Sequence, residues 1–209
     1  MPLAHQVAAY NRDRKWQTFL REFIPSETSR VLDVGYNAQE YSSVDNYIEK
    51  HYPYQHHLKA LGLAASEHFN AAYPWVEQIV YDGSTFPFRN KAFDICWSNA
   101  VIEHVGDRQS QVYFLMEIHR VAKSAFVTTP NRNFPIEVHT RTPLLHFLPK
   151  RMFERFLIAT RRSWATGNYM NLLTGSDLKG LLADAQISNY RIVTNKLGGF
   201  VLDFVVIID

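Results

Sequence analysis

Two short apolar segments, each followed directly by small polar residues, constrain the fold of this chain more than any other feature of its sequence. The segment Val76–Tyr81 leads into Asp82-Gly83, and Phe93–Trp97 leads into Ser98-Asn99. In an open α/β sheet, ligands bind outside the carboxyl ends of the strands. The two segments therefore predict strands of an α/β sheet with a ligand site at their carboxyl ends.

Strand-like and helix-like segments alternate over the N-terminal part of the chain. Strands are predicted at Arg30–Gly35, Leu58–Leu63, Val76–Tyr81, Phe93–Trp97 and Ala125–Thr128, and helices at Ala4–Phe23, Tyr41–Lys50, Ser66–Ala72 and Arg108–Val121. This alternation is typical of a parallel sheet that is covered by helices on both faces.

The C-terminal part of the chain departs from this alternation. A leucine-rich segment after Ser176 predicts a helix with Ser176 as its N-cap. The strand-like segments Tyr190–Asn195 and Phe200–Ile208 follow, and the link between them contains Gly198-Gly199. Such a link predicts a hairpin. We therefore expect a doubly wound, mostly parallel α/β sheet of seven strands that ends in an antiparallel C-terminal hairpin.

The length of 209 residues predicts a single domain over residues 1–209. Within it, residues 130–175 fit neither the strand nor the helix pattern, apart from a helix predicted near Arg151–Ile158. A segment of this length inside a compact domain is usually a lid or a binding loop. We therefore interpret residues 130–175 as an insertion that binds the substrate.

Charge and composition exclude several classes of protein. The formal net charge is +2, and like charges do not form a block, so we expect no nucleic-acid partner. Cys96 is the single cysteine and is interpreted as a small buried hydrophobic residue. The sequence shows neither a membrane-spanning segment nor a secretion signal. We expect a cytoplasmic protein with no membrane partner, and its oligomeric state stays undetermined.

The stretch from Asp82 to His104 carries two motifs in succession. They are D-G-x-x-F-P-F-x-x-x-x-F-D, which begins at Asp82, and S-N-A-V-I-E-H, which begins at Ser98. Together they resemble the class I S-adenosylmethionine-dependent methyltransferases. The resemblance extends over about Val31 to Thr129, and it implies a Rossmann-like fold, S-adenosylmethionine as cofactor, and methyl transfer to a small molecule, with oxygen as the expected acceptor atom.

The resemblance also implies how the first loop contacts the methionine part of the cofactor. Asp33 and Gly35 match the family's pattern of an acid followed by alternate glycines, and Tyr36 lies between two of its positions. Asn37 stands where the second glycine is expected. Because asparagine tolerates positive φ better than most residues, we expect Asn37 to preserve the turn.

The second strand ends in Gly62 and Leu63, which occupy the family's ribose-binding position and are assigned to the cofactor site by resemblance. The family commonly has a carboxylate there, because it accepts a hydrogen bond from each ribose hydroxyl. This chain has no acid at that point, and Glu67 and Asn46 are candidates to replace it.

The remaining cofactor contacts are implied at the ends of the third and fourth strands. Asp82 is expected to accept a hydrogen bond from the adenine amino group, with the Gly83 backbone beside it. Ser98 and Asn99 are expected to lie under the methionine end.

Two histidines are candidates for the catalytic base. An oxygen nucleophile must lose a proton near neutral pH, and histidine is suited to accept it. His104 follows the fourth strand, near the expected position of the methyl group, and a role in bracing the next helix is its alternative. His139 lies in the proposed lid beside Glu137 and Arg141, which are either substrate-binding or ordinary surface charges.

Other kinds of site are not indicated. The histidines His51, His56 and His57 lie close in sequence, but adjacent histidines rarely bind one ion, and no H-E-x-x-H spacing is present. We therefore expect no metal site. The alternative function is a degenerate methyltransferase-like binding or interaction module, in which a side chain such as Tyr36 would fill the methionine site. We favour the enzyme because the adenine-side and methionine-side motifs are both retained.

Overall fold

The structure is a computed structural model that describes residues 3–167 and 170–209. Within these residues the strands are β1 (Val31–Val34), β2 (Leu58–Gly62), β3 (Glu77–Val80), β4 (Phe93–Asn99), β5 (Ala122–Pro130), β6 (Ile136–Glu137), β7 (Thr142–Pro143), β8 (Tyr190–Leu197) and β9 (Phe200–Ile208). The helices are α1 (Leu3–Phe23), α2 (Tyr47–His51), α3 (Glu67–Ala72), α4 (Arg108–Val121), α5 (Lys150–Ala159) and α6 (Gly175–Asp184).

Seven of the strands form one sheet in the order β3-β2-β1-β4-β5-β9-β8. The central strand β1 runs parallel to β2 and to β4, and Asp33 is in register with Ala60 of β2 and Trp97 of β4. Only two residues join β8 to β9, a connection that is possible only between antiparallel strands. The predicted fold class is therefore confirmed. The strand order reverses at β1, and such a reversal is where open α/β sheets bind ligands.

The chain divides into two compact units. The first unit comprises Met1–Asn99, Glu117–Val127 and Ile207–Asp209, and the second comprises Ala100–Met116 and Thr128–Val206. The predicted insertion at residues 130–175 falls in the second unit, where β6 and β7 form a small antiparallel sheet. The single-domain prediction for residues 1–209 stays a prediction.

An aromatic cluster anchors α1 on the sheet of the first unit. The buried ring of Phe19 contacts Trp97 of β4 edge to face at 5.1 Å, and Trp97 stacks on Phe126 of β5 at 4.8 Å. Trp16 adds a third contact with Trp97 at 6.1 Å. Cys96, the neighbour of Trp97, is fully buried, as the sequence predicts. These contacts hold α1 beside the carboxyl end of β4.

The predicted helix Tyr41–Lys50 is wrong in its first half, since α2 begins only at Tyr47. The carboxylate of Asp45 accepts hydrogen bonds from the backbone N–H groups of Tyr41 and Ser42 and so stabilises a turn. Asn46 then adopts the left-handed conformation, with φ of 47°. Side-chain bonds to the backbone therefore compete successfully with helix formation here.

The predicted N-cap of the C-terminal helix is also wrong. The cap of α6 is Thr174 rather than Ser176, and its hydroxyl accepts a hydrogen bond from the backbone N–H of Asp177. The Asp177 carboxylate accepts a hydrogen bond from the backbone N–H of Thr174 in return, which completes a capping box. Asp177, three residues after Thr174, is the partner that completes this box and makes Thr174 rather than Ser176 the N-cap.

None of the helices in the described part of the chain is long and apolar enough to cross a membrane.

Candidate functional site

A cavity of about 40 Å³ opens in the first unit at the carboxyl ends of β1 and β4. Five of the residues assigned to the cofactor from the sequence line it, namely Asp33, Gly35, Tyr36, Asn37 and Asn99. We call it the first-unit cavity.

The loop after β1 is shaped by one glycine and one asparagine. Gly35 has φ of 98°, a conformation that favours glycine, and its N–H donates to the carbonyl of Leu61 at 2.9 Å. Asn37 does not have positive φ, so the expected role of this residue is wrong. Instead, the side chain of Asn46 accepts from the Asn37 N–H at 2.8 Å and donates to the Asn37 carbonyl at 2.9 Å. A side-chain clamp therefore replaces the second glycine.

Tyr36 packs against the end of β2. Its ring lies over Gly62 so closely that a β-carbon there would overlap the ring, and it contacts Phe69 at 4.5 Å. Its hydroxyl donates to the carbonyl of Ala64 at 2.5 Å. The contacts with Gly62 and Phe69 and the hydrogen bond to Ala64 thus hold the ring in the wall of the first-unit cavity. Of the two candidates for the ribose contact, Asn46 lines the first-unit cavity from the loop clamp, and Glu67 is exposed on α3.

Two buried carboxyl groups form part of the cavity wall. Asp33 of β1 is 5% exposed and Glu49 of α2 is 0% exposed. Burial raises the pKa of Glu49 to about 7. Burial, together with the charge of Glu49, raises the pKa of Asp33 well above its ordinary value. The pair therefore retains at least one proton under conditions in which exposed carboxyl groups have lost theirs.

Glu49 makes the stability of the fold depend on pH. Because its pKa is higher in the folded chain than in the unfolded chain, the folded state binds more protons between pH 4.5 and about 7. Stability is therefore expected to fall as the pH rises through this window, by on the order of 3 kcal/mol at most. The Glu49→Gln variant has no titrating group at position 49, so it should lose less stability than the wild type between pH 5 and pH 8. Thermal melts at both pH values measure the difference.

The control for this comparison is Glu67→Gln, which removes an exposed glutamate from α3. It should retain the wild-type dependence of the melting temperature on pH. If Glu49→Gln also retained the wild-type slope, Glu49 would not be the group whose proton is coupled to folding.

Helix α1 contributes cationic residues that the sequence analysis missed. Arg12 lines the first-unit cavity, and the buried Lys15 donates from Nζ to Oδ1 of Asn99 at 3.3 Å. The sequence gives only an indirect signal for Arg12 and Lys15, because both precede the aromatic residues Trp16 and Phe19 on α1. The packing of Trp16 and Phe19 on β4 is what brings the two cationic residues to the cavity. Ser98, by contrast, is fully buried.

The ends of β2 and β3 present the residues assigned to the adenosine part. Leu63 is 69% exposed, and its side chain lies beside Gly83, whose φ is 85°. Oδ1 of Asp82 accepts from the N–H of Ser84 at 2.9 Å and from its hydroxyl at 2.5 Å. These hydrogen bonds lower the pKa of Asp82, so this exposed carboxylate stays ionised and able to accept further hydrogen bonds.

The two candidate bases meet in the second unit. The rings of His104 and His139 contact edge to face with their centres 4.9 Å apart. Nε2 of His139 lies 3.8 Å from Oε1 of Glu103, a fully buried carboxyl group whose Oε2 accepts from the Thr129 hydroxyl at 3.0 Å. We call Glu103, His104 and His139 the carboxylate–histidine cluster.

Glu137 orients His139 from the opposite side. Its Oε1 lies 2.8 Å from Nδ1 of His139 and also accepts from the backbone N–H of that residue, while its Oε2 accepts from the N–H and hydroxyl of Thr140. Although burial opposes it, the hydrogen bonds and charge of His139 lower the pKa of Glu137 to about 2. The two carboxylates in turn raise the pKa of His139 above its ordinary value, against the effect of burial.

The backbone beneath the cluster is held by hydrogen bonds within the second unit. The side chain of Gln111 on α4 donates to the carbonyls of Ile102 and Asn171, each at 3.1 Å. Asn171 donates from its backbone to the Glu103 carbonyl at 2.7 Å and from its side chain to the Gly106 carbonyl at 2.7 Å. The short 3-10 helix that carries Glu103 and His104 is therefore fixed in place.

A larger cavity, of about 420 Å³, also lies in the second unit. Its wall includes the basic residues Arg132 and Lys150 and the aromatic ring of Phe153. Most of this wall comes from the segment predicted as the insertion.

Comparison with known families gives a match over part of the chain. The sequence model of the methyltransferase domain matches residues 32–125, slightly less than half of the chain, and this range includes the first-unit cavity residues of β1 and β4. Comparison with curated proteins gives no match.

Solved structures share the fold over nearly the whole chain. A SAM-dependent methyltransferase from Methanosarcina mazei has a TM-score of 0.53 at 15% identity, covering 90% of this chain and 95% of its own. One from Aquifex aeolicus has a TM-score of 0.55 at 16% identity, covering 92% and 89%. The N-terminal domain of EvdMO1, solved with S-adenosylhomocysteine bound, has a TM-score of 0.56 at 16% identity, covering 94% and 79%. Residues 32–125 thus match a methyltransferase domain, and the chain has the fold of S-adenosylmethionine-dependent methyltransferases.

Proposed function

We propose that this protein is an S-adenosylmethionine-dependent methyltransferase that transfers the methyl group to an oxygen atom of a small molecule. The observation that carries the proposal is the carboxylate–histidine cluster, in which two imidazole rings in contact lie beside buried carboxylates. A hydroxyl group has to lose its proton when it is methylated near neutral pH, and imidazole is the side chain suited to accept it. Methyl transfer to a carbon or nitrogen that is already nucleophilic needs no such group.

The lining of the first-unit cavity suits the cofactor by its charge. S-adenosylmethionine carries an ammonium and a sulfonium group, and the cavity wall contains Asp33 and Glu49, whose buried carboxyl groups a cation would stabilise. The oxygens of Glu49 make no hydrogen bond of standard geometry within the described residues. Gly35 provides the open backbone that close approach requires. We therefore assign Asp33, Gly35, Tyr36, Asn37 and Asn99 to the methionine side of the cofactor.

The adenosine side is assigned to the ends of β2 and β3. The ionised carboxylate of Asp82 is an acceptor for the adenine amino group. The exposed Leu63 offers an apolar surface beside Gly83 for the adenine ring. The chain has no carboxylate at the end of β2, and Tyr36 and Gly62 fill that corner instead.

Bound S-adenosylmethionine supplies a methyl group that is already activated by the sulfonium, so the protein's task is to position the acceptor and remove its proton. We assign proton removal to His139, with Glu137 as the positioning residue that fixes its ring, and to His104 beside it. The segment 130–175 supplies His139 and most of the wall of the second-unit cavity, and we assign acceptor binding to this segment.

The acceptor atom can be identified directly from the product. The enzyme is incubated with methyl-13C-labelled S-adenosylmethionine and pools of hydroxylated small molecules, and the labelled products are examined by NMR. Methyl groups on oxygen, nitrogen and carbon have distinct 13C chemical shifts. A labelled O-methyl product supports the proposal, whereas products that are labelled only on nitrogen or carbon would overturn it.

Asp82→Ala is expected to weaken the binding of S-adenosylhomocysteine about tenfold to a hundredfold, because a hydrogen bond to a charged group contributes roughly 1.5–3 kcal/mol. Calorimetric titration measures the change. The matched control is Glu77→Ala, which removes a carboxylate from the amino end of the same strand, where it pairs with Lys59 at 2.7 Å. Equal affinity in Asp82→Ala and Glu77→Ala would show that the adenine side lies elsewhere.

A further inference from the structure

We propose that Glu103, His104 and His139 form a binding site for a divalent transition-metal ion, with zinc as the ion of reference. Each residue offers one ligand atom, and these atoms all lie within 4.8 Å of one another. The proposal deepens the function proposed above, but the binding of the ion itself does not depend on the acceptor.

The orientation of the His139 ring leaves the lone pair of Nε2 available to bind a cation. Oε1 of Glu137 already accepts a hydrogen bond from the backbone N–H of His139, so it also acts as the acceptor for Nδ1 at 2.8 Å. The proton of the neutral imidazole is thereby placed on Nδ1, and Nε2 presents a lone pair. Histidine ligands of metal ions characteristically donate their other ring N–H to a carboxylate in this way.

The lone pair of His139 Nε2 is directed at another acceptor. Oε1 of Glu103 is buried and makes no hydrogen bond within the described residues, and it lies 3.8 Å from Nε2. This separation is too long for a hydrogen bond. It is close to the distance of about 3.4 Å between two ligands of a tetrahedral zinc ion, each about 2.1 Å from the metal. A cation between the two atoms would satisfy both.

The cluster is held in place before any ion binds. Glu103 is fixed through Oε2 by the Thr129 hydroxyl and through its backbone by Asn171. His139 is fixed by the turn that Glu137 organises with Thr140. Only small movements of the three side chains are needed to bring all ligand atoms to bonding distance of one ion, since they already lie within 4.8 Å of one another.

The ligand set selects the class of ion. Two imidazole nitrogens and one carboxylate oxygen suit zinc and other first-row transition metals, whereas magnesium and calcium prefer oxygen ligands. Three protein ligands leave one position of a tetrahedral zinc ion open. With the ion bound, the coordinating nitrogens of His104 and His139 are ligands rather than proton acceptors. An acceptor hydroxyl that occupies the open position would then lose its proton to solvent water more readily, because a bound cation lowers the pKa of a coordinated oxygen. This last step rests on the proposed methyl transfer to oxygen. The sequence analysis missed the cluster because His139 is remote in sequence from Glu103 and His104.

The test is calorimetric titration of metal-free protein with zinc chloride in the absence of cofactor and acceptor. Wild-type protein should bind one ion, and His139→Gln and Glu103→Gln should each bind it at least 100-fold more weakly. Glu137→Gln retains all three ligands and should lose about 10- to 100-fold, as expected for a group that orients a ligand. His68→Gln, which removes an exposed histidine of α3, is the matched control and should bind like the wild type.

Circular dichroism melts establish that each variant is folded, and cobalt titration supplies a second readout, since tetrahedral cobalt has visible absorption bands that report nitrogen and oxygen ligation. An absence of binding in the wild type overturns the proposal, as does equal affinity in the wild type and the folded Glu103→Gln and His139→Gln variants. A protein that binds zinc at the cluster but methylates only nitrogen or carbon would retain the metal site and lose the proposed function. A protein that makes O-methyl products without binding zinc would retain the proposed function and lose the metal site.

Discussion

His139→Gln is expected to lower the turnover number about 100- to 10,000-fold, which is the usual contribution of a general base. The affinity for S-adenosylhomocysteine should change little, because His139 is not among the residues assigned to the cofactor. The ring of His139 lies between Glu137 at 2.8 Å and Glu103 at 3.8 Å, so its loss removes the group that these two carboxylates orient. The assay follows S-adenosylhomocysteine release at saturating cofactor with the acceptor found by isotope labelling.

Two further variants show whether the rate reflects this group alone. His68→Gln should turn over at the wild-type rate, since His68 is an exposed residue of α3. Glu137→Gln should lower the turnover number less than His139→Gln does, because the imidazole remains but its orientation is no longer held by a carboxylate. A wild-type rate in folded His139→Gln would remove His139 from the reaction and leave His104 as the candidate.

Gly62→Ala is expected to destabilise the fold by about 1–3 kcal/mol, the usual cost of overfilling a packed site. The added methyl group would overlap the ring of Tyr36. Movement of the ring is opposed by its contact with Phe69 at 4.5 Å and by the hydrogen bond from its hydroxyl to Ala64. The melting temperature should fall by roughly 2–4 °C for each kcal/mol in a protein of this size.

A double-mutant cycle separates the overlap from other effects of the methyl group. Tyr36→Leu removes the ring, and Gly62→Ala should then cost much less in this background, so the two changes are non-additive. Gly175→Ala is the matched single control, because its methyl group would lie 3.4 Å from the ring of Phe204, an ordinary contact. If Gly62→Ala were as stable as the wild type, Tyr36 would have to occupy another position in solution.

The alternating strand and helix segments were sufficient to predict the order and type of most elements. The predicted α4, Arg108–Val121, has the observed bounds, and Phe93–Trp97 lies within the observed β4. These predictions succeed because apolar periodicity reports which side of an element is buried. Prediction was wrong where side chains bond to the backbone nearby, as Asp45 does before α2 and Asp177 does with Thr174, since such bonds depend on local geometry rather than on periodicity.

The candidate site could be predicted only in part. Asp33, Gly35 and Asn99 follow or end strands, and residues in these positions come together at one edge of a parallel sheet whatever the remaining sequence is. Arg12 was not predicted because nothing near it in sequence indicates which strand its helix covers. The aromatic contacts of Trp16 and Phe19 with Trp97 decide that position.

The sequence by itself determined the doubly wound sheet, its hairpin edge and the polar strand ends that line the first-unit cavity, because these follow from periodicity and from the chain order of strands. Only the tertiary structure decided that Asn46 takes over the role of a glycine beside Asn37, that Glu49 is buried with Asp33, and that His139 meets Glu103 and His104. Each of these groups brings together residues that are separated along the chain. Their contacts depend on packing, turn geometry and burial, and none of these produces a periodic pattern in the sequence.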